Sequence, residues 1–459
     1  MCTRSSWAAH KRACRLFSRR RHGEHETGKI DETEGENKIL LGAVADDMTG
    51  ATDLCNTLVA SGLRTVQMID VPEKGTPVPD ADAVVVALKS RNSRPIHAVR
   101  QSLKAQNWLK AAGAKQYFFK YCSTFDSTPL GNIGPVADAM LERVKGGITI
   151  ACPAFPTNGR TVFRGHLFVG DVLLSTSGMR NHPLTPMTNA NLVEVLGEQT
   201  PYGVGLVPWE TVDQGPEAIT QALARLRKEG KRHAIVDALS DQNLIDIGRA
   251  SAGLKLITGG SGAAMGLAAN FRASGALGRK GNAAKLPPAR GHAAVIAGSC
   301  SETTLEQIAP MKKAKHAVFH VDATKLGGKQ NIVAEALAWA APLLGQKPIL
   351  IYASATPAEI AKAQAKHGRD KAGVLVERVL ARITKGLVKA GVGKLVLAGG
   401  ETSGAAVKAL GVRGLAIGKQ IDPGVPWTMS LGDAPLHLAL KSGNFGAPDF
   451  FTKAFKVLD

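Results

Sequence analysis

Leu40-Leu41-Gly42-Ala43-Val44-Ala45-Asp46-Asp47-Met48-Thr49-Gly50-Ala51-Thr52-Asp53 carries an apolar run, two adjacent acids and the start of a helical pattern. Residues 40–45 have the length and composition of a strand buried on both faces, as in a parallel sheet. From Thr49 onward Leu54, Leu58 and Val59 share one helical face. A strand that ends in two carboxylates and passes at once into a Thr-Gly helix start puts Asp46 and Asp47 at the carboxyl edge of an open α/β sheet, where such folds bind ligands. Asp is also a favoured helix cap, so Asp47 as a plain cap, with Asp46 in solvent, is the structural alternative. The pairing of acids ahead of Thr and Gly favours a site, with Asp47 and Asp46 as its candidate catalytic residues.

Outward from that corner, apolar strands alternate with helical patterns. Residues 65–69, 83–88, 116–121, 148–152 and 234–237 read as strands and 96–112 as a helix. This alternation predicts a mostly parallel sheet covered on both faces. Two polar clusters fall at strand ends, Lys89-Ser90-Arg91-Asn92-Ser93 and Cys122-Ser123-Thr124-Phe125-Asp126-Ser127-Thr128. The edge rule places them beside the two acids. Arg91 offers a planar pair of donors that matches a carboxylate, and Lys120, Ser123 and Asp126 offer donors and acceptors to a polyhydroxy substrate. The alternatives are a surface arginine and ordinary loop capping by short polar residues.

Farther on, Pro153-Ala154-Phe155-Pro156-Thr157-Asn158-Gly159-Arg160, Gly165-His166-Leu167-Phe168-Val169-Gly170 and Asn181-His182-Pro183-Leu184 read as a loop-rich excursion. Arg160 can assist an anion there, and His166 and His182 are site candidates, although a solitary histidine is more often packed or solvated. In Leu254-Lys255-Leu256-Ile257-Thr258-Gly259-Gly260-Ser261-Gly262 a strand again runs into glycines. Gly260, Gly262 and Gly266 miss the dinucleotide fingerprint by one position, and no acid closes the following strand. Tight helix packing or an extra phosphate contact is the reading here, and it leaves an NAD(P) oxidoreductase little to stand on.

A chain of 459 residues exceeds one ordinary core, and at ~150 residues per domain it makes two or three. With 44% hydrophobic and 21% charged residues and 50 Gly, it suits a soluble α/β protein rather than a disordered or fibrous one. No apolar run approaches the ~18 to 20 residues of a membrane span, so no membrane partner is expected. Lys and Arg exceed Asp and Glu by 57 to 38. Beyond the N-terminal tail these basic residues are scattered rather than gathered into an aromatic-laced stripe, so the charge points to small anions and away from nucleic acid. Cys2, Cys14, Cys55, Cys122, Cys152 and Cys300 show no paired metal spacing and no disulfide framework, as expected of reduced residues in a cytoplasmic protein. Residues 1–22 are basic and free of acids, and 23–38 turn Glu-rich; neither part can build a core. Residues 1–38 are therefore expected to be a disordered extension, poorly amphipathic for a transit peptide and without a secretory apolar region.

Residues 272–292 lack periodicity and are rich in Gly, Pro and basic residues, as a linker is. The expected organisation is two α/β domains, each a mostly parallel sheet flanked by helices: 39–271, the linker 272–292, and 293–459. In the second domain, 293–297, 318–321, 349–353, 395–398 and 415–417 read as strands. The sharpest feature is Leu395-Val396-Leu397-Ala398-Gly399-Gly400-Glu401-Thr402-Ser403-Gly404, a strand stopped by paired glycines ahead of a helix. Glycines let the main chain approach a phosphate, and free amides at a helix start point toward it. No Walker loop occurs, and a plain strand-to-helix turn is the alternative. Gly298-Ser299-Cys300-Ser301 and Lys441-Ser442-Gly443-Asn444-Phe445-Gly446 are two further glycine-bearing polar turns. Three such turns suggest a nucleotide, with its phosphates along 399–402.

Taken together, Ala45-Asp46-Asp47-Met48-Thr49-Gly50-Ala51-Thr52-Asp53, the 122–128 cluster and Gly399-Gly400-Glu401-Thr402-Ser403-Gly404 resemble the four-carbon acid sugar kinase family, from about residue 39 to the C-terminus. The 155–160, 165–171 and 258–262 stretches are most similar to the branch of that family that acts on 3-oxo-tetronate. The resemblance implies an N-terminal sugar-acid domain, a C-terminal nucleotide domain with the active site in the cleft between them, and ATP-dependent phosphorylation of the terminal hydroxyl of a four-carbon acid. It puts Asp46, Asp47, Arg91 and Asp126 at substrate or catalytic positions, and Ser299, Gly399, Gly400, Glu401, Thr402 and Gly443 at nucleotide positions. Met48 stands where Phe is common, and the residues before Lys38 have no counterpart in the family. The substrates so implied are 3-oxo-tetronate, threonate or erythronate with ATP and Mg2+; the metal ligands are unknown and either acid can be the base. A non-catalytic sensor of sugar acids or nucleotides is the competing reading. A homodimer is compatible with the sequence, which does not fix the oligomeric state.

Overall fold

The computed structural model describes residues 39–182, 184–278, 281–328 and 330–458. The expected extension 1–38 lies outside the described residues, as do Pro183 and, within the linker, Arg279 and Lys280. The chain forms two compact units: one takes the residues up to Asp46 with 75–80 and 88–270, the other 47–74, 81–87 and everything from Phe271 onward. The boundary thus falls between the two adjacent acids.

The first unit is built on a parallel sheet in the order Leu41–Ala45, Gln116–Lys120, Leu256–Gly259, Thr149–Cys152, Lys231–Val236, Gly203–Val207. Every residue of the Leu41–Ala45, Gln116–Lys120, Thr149–Cys152 and Leu256–Gly259 strands is buried, which is why these stretches read as runs rather than as alternation. Gly42 lets the helix Pro95–Ala111 approach closely, since a Cβ there would meet Leu109 Cβ at 3.1 Å and Ala114 Cβ at 2.9 Å. The excursion expected to be loop-rich is instead a small antiparallel sheet, Arg160–Phe163, His166–Val169 and Val172–Leu173. It turns at Arg164-Gly165, and a buried carboxylate fixes that turn: Asp237 accepts from the amides of Arg164 (2.6 Å), Gly165 (2.8 Å) and Trp209 (2.9 Å).

The second unit holds Val318–His320, Ile349–Tyr352, His292–Ala297, Val392–Ala398 and His437–Lys441 side by side and parallel. The sheet continues antiparallel through Val425–Ser430 and Gly414–Asp422 to Thr65–Ile69, which pairs in parallel with Ala83–Ala87. Side chains alternate faces along a strand, so Ala294, Ile296, Leu395 and Leu397 enter one apolar cluster while Val295, Ala297, Val396 and Ala398 enter another with Trp427, Phe450 and Phe451. The parallel part is therefore covered on both sides. The helix Met48–Ala60 belongs to this unit and is tied to it by Thr52 Oγ1 donating to Gln67 Oε1 (2.9 Å) and Asn56 Nδ2 donating to Gln420 Oε1 (2.7 Å).

Candidate active site

In the first unit the carboxyl ends of Leu41–Ala45 and Gln116–Lys120 carry a charged cluster. Asp46 continues its strand and donates its amide to Lys120 O (3.0 Å), while its own carbonyl accepts from the amides of Ser90 (2.9 Å) and Arg91 (3.2 Å). That main-chain register brings Arg91 onto the Asp46 carboxylate, with Nε donating to Oδ2 (2.9 Å) and Nη2 to Oδ1 (2.8 Å). The planar donor pair expected for a substrate carboxylate is therefore engaged by Asp46, and Asp46 is buried rather than facing solvent. Arg91 Nη1 lies 4.0 Å from Asp126 Oδ2, and Asp126 Oδ1 accepts from Thr124 Oγ1 at 2.5 Å. Asp46, Arg91 and Asp126 thus alternate in charge, with the half-buried Ser123 in the same turn as Asp126.

Two features hold this cluster that the sequence reading did not single out. Asn132 Nδ2 donates to the carbonyls of Ser90 (2.9 Å), Arg91 (3.0 Å) and Ser93 (3.0 Å), so it fixes the turn that aims Arg91. Phe125, buried and edge-on to Tyr121 at 5.4 Å, sits in the left-handed region at φ 51°. That conformation costs a bulky residue about 1–2 kcal/mol, a strain its aromatic packing offsets. Lys120 is buried with Nζ donating to Tyr121 O (2.7 Å). Arg160 and His166 reside on the small sheet, and their side chains bond to the nearby carbonyls of Asn158 and Arg164. His182 Nδ1 accepts from the Thr185 amide (3.1 Å), a local cap. At Gly260 and Gly266 a Cβ would fall 2.6 Å from Pro153 O and 2.1 Å from Ile245 O, so these glycines serve close main-chain packing.

Asp47 opens the second unit. It is half-buried and caps the helix Met48–Ala60, its Oδ1 accepting from the Gly50 amide (2.8 Å).

The parallel part of that unit's sheet brings the three glycine turns together, because they follow three adjacent strands: His292–Ala297, Val392–Ala398 and His437–Lys441. Gly298 and Ser299 donate to Ala398 O (3.0 and 3.2 Å), and Gly399 donates to Lys441 O (2.8 Å). A Cβ on Gly443 would lie 2.6 Å from Ser299 Oγ, and one on Gly298 only 2.2 Å from Thr402 Oγ1. Gly399, at φ 121°, adopts a backbone that other residues avoid, and Gly400–Ala409 starts with no side-chain cap. Ser299, Gly399, Thr402 and Gly443 therefore converge, with Gly400 and Glu401 exposed on the first turn of the helix. A helix start of this kind offers amides to an anion, with a dipole contribution of about 0.3–1 kcal/mol. The missed residue here is Lys441, wholly buried at the junction of the three turns, where burial pushes its ammonium down to about 8. Its signal was a lysine closing the apolar run Leu438-Ala439-Leu440. Among the described residues no group of three or more His, Cys, Asp and Glu is placed to hold a metal, and no helix is long and apolar enough to cross a membrane.

Residues 41–267 match the profile of a sugar-binding N-terminal domain and residues 294–451 that of a nucleotide-binding C-terminal domain. The chain is 56% identical to a 3-oxo-tetronate kinase of Burkholderia multivorans over 93% of its own length and 99% of that protein's. A 3-oxo-tetronate kinase of Cupriavidus necator is 53% identical, with 92% and 98% covered. A solved Haemophilus influenzae protein shares the fold at a TM-score of 0.83 and 42% identity, with 91% of this chain and 100% of that one covered.

Proposed function

The chain belongs to the four-carbon acid sugar kinase family and is a kinase, and from that premise we propose that it transfers the γ-phosphoryl group of ATP to the terminal C4 hydroxyl of 3-oxo-tetronate, giving 3-oxo-tetronate 4-phosphate and ADP. The observation that carries this reading is the convergence of the 298–301, 399–402 and 442–443 turns at three adjacent strand ends. It is a main-chain cradle with a free helix start, suited to a polyphosphate. The acceptor is taken from the names of the relatives, and the polar cluster around Arg91 and Asp126 is suited to a small polyhydroxy acid.

Phosphoryl transfer asks the protein for positioning and charge neutralisation more than for covalent chemistry. Asp46 has both oxygens engaged by Arg91, so we assign it to holding the guanidinium in place. Asp47 is the general base: it accepts the C4 hydroxyl proton as the new O–P bond forms and the bond from the γ-phosphorus to the β–γ bridging oxygen breaks. Arg91, through its Nη1 side, and Asp126 and Ser123 bind the acid and its hydroxyls, with Lys120, Arg160 and His166 as further substrate-side groups. Ser299, Gly399, Gly400, Thr402 and Gly443 hold ATP. Magnesium neutralises phosphate oxygens when bound with ATP, and it needs only one or two protein carboxylates besides phosphate and water. The exposed Glu401 fits that demand.

The test is an ADP-release assay with ATP and magnesium over 3-oxo-tetronate, threonate and erythronate, with the product read by phosphorus NMR. Turnover fastest on 3-oxo-tetronate, with the phosphate on C4, is expected. Ligand binding without ADP formation would make the protein a sensor, and turnover confined to threonate or erythronate would move the substrate within the family.

A further inference from the structure

Lys441 is buried among neutral oxygens. Its Nζ lies 2.8 Å from Gly443 O and 3.1 Å from each of Ser442 O, Phe445 O and Thr304 Oγ1, and no carboxylate is among these partners. An ammonium has three N–H donors, so four oxygens cannot each receive a full directed bond. The group acts instead as a compact point charge inside an oxygen cage. Carbonyl cages of this kind are how proteins replace the hydration shell of a potassium ion.

The cage shapes the turn around it. Gly443 O also accepts from Ser301 Oγ (2.7 Å) and Thr304 Oγ1 (3.1 Å), while Gln307 Nε2 collects the carbonyls of Phe445 (3.1 Å), Gly446 (2.9 Å) and Ala447 (3.0 Å). The carbonyls of Ser442, Gly443, Phe445, Gly446 and Ala447 are thereby drawn toward side chains of the sheet and of the helix Glu302–Lys313. In a trans peptide the N–H points opposite to the C=O. With the Ser442 and Gly443 carbonyls held by Lys441, the amides of Gly443 and Asn444 face the other way. Gly443 is also the residue whose missing Cβ admits Ser299 Oγ.

We propose that Lys441 is a tethered monovalent cation, a positioning residue that holds the 442–445 turn by its carbonyls so that the turn presents its amides and a fixed positive charge to the nucleotide phosphates. The inference rests on the nucleotide reading of the three turns. It makes the protein independent of free potassium, because the cation is part of the chain. Lys441→Ala vacates the cage and leaves space for an ion, whereas Lys441→Met fills the space and supplies no charge.

The experiment measures ATP affinity by calorimetry, and melting temperature without nucleotide, for the wild type, K441A and K441M in lithium, sodium, potassium and ammonium chloride at equal ionic strength. The wild type should change less than about twofold across the four salts, and both variants should bind ATP about tenfold more weakly in lithium, the scale of one lost charge-assisted partner. Potassium and ammonium should restore K441A several-fold, raise its melting temperature even without ATP, and leave K441M unmoved. The proposal is overturned if the wild type itself needs potassium, if either variant binds ATP like the wild type, or if K441A is weakened yet indifferent to all four salts. Where K441A does not fold, the wild-type salt series and K441M decide. Should no form bind ATP, the melting-temperature rescue of K441A still reads the cage, and the nucleotide reading alone fails.

Discussion

Arg91→Met removes one half of the most buried ion pair at the candidate site. The Asp46 and Arg91 side chains are 4% and 21% exposed and share two hydrogen bonds of 2.8 and 2.9 Å. Taking one partner from a buried pair costs roughly 3–5 kcal/mol, because the other charge is left without compensation. Arg91 keeps some access to water, which lowers the figure to about 2–4 kcal/mol. Asp46→Asn should cost about as much, since it leaves the guanidinium facing a neutral amide. The double variant should cost less than the sum of the two, with a coupling of about 1–3 kcal/mol, as expected for residues in direct contact. Urea unfolding followed by far-ultraviolet circular dichroism gives these values as midpoint shifts at constant slope. Raising the salt to about 1 M should change the coupling little, because a buried pair is screened far less than an exposed one. A loss below about 1 kcal/mol for Arg91→Met, or additivity of the two substitutions within about 0.5 kcal/mol, would refute the reasoning and return Arg91 to the substrate as a free clamp.

Other expectations can be checked with the same preparations. Asp47→Asn keeps the helix cap, because Asn caps about as well as Asp, yet it removes the proposed base; kcat should fall by about 10²–10⁴ with the melting temperature within a few degrees of wild type. Gly399→Ala puts a Cβ 3.0 Å from Thr402 Oγ1 at φ 121°, and should raise the KM for ATP at least about tenfold while the KM for the sugar acid stays within about twofold, the pattern of lost binding at one substrate only. Lys441 gives opposite pH trends for binding and stability. Its ammonium titrates at about 8 in the folded chain and at roughly 10.4 when unfolded, so above about pH 8 the unfolded state holds the extra proton and this group's contribution to stability rises with pH up to about 10. ATP affinity should fall over the same interval as the charge is lost. Wild type minus Lys441→Met isolates both trends, and parallel curves for the two proteins would remove the group from the account.

The strands were legible where burial is two-sided: Leu41–Ala45, Thr65–Ile69 and Gln116–Lys120 are short stretches rich in apolar residues, and they occur within one residue of where the pattern put them. Gly203–Val207 was not legible, since two of its five residues are glycine, and neither was the Arg160–Phe163 sheet, whose turns carry Arg164 and glycines that read equally well as loop. Among site residues, the glycine turns announced themselves because a missing side chain at a strand end is itself a signal. Their convergence did not, because it depends on which strands are neighbours. Lys441 and Asn132 were hidden for a different reason: each acts by gathering main-chain carbonyls, and a carbonyl leaves no trace in a sequence.

Two identical side chains stand next to each other at Asp46 and Asp47, and their tasks are divided by the peptide between them. A strand alternates its side chains, and Asp46 is still in register with one, its amide and carbonyl spent on Lys120, Ser90 and Arg91. That register turns its carboxylate onto the Arg91 guanidinium, where both oxygens accept charge-assisted bonds and neither is well placed to take a further proton. Asp47 has left the sheet and adopted the extended backbone of a helix cap, which commits one oxygen to the Gly50 amide and keeps the side chain half-buried. A base must be reachable by the hydroxyl it serves, and of the two it is the half-buried cap residue, not the buried Asp46 with both oxygens on Arg91, that favours the proposed assignment. The same logic makes Asp46→Asn chiefly a stability variant and Asp47→Asn chiefly a rate variant. The reverse outcome, a folded Asp46→Asn without turnover beside a nearly active Asp47→Asn, would exchange the two roles.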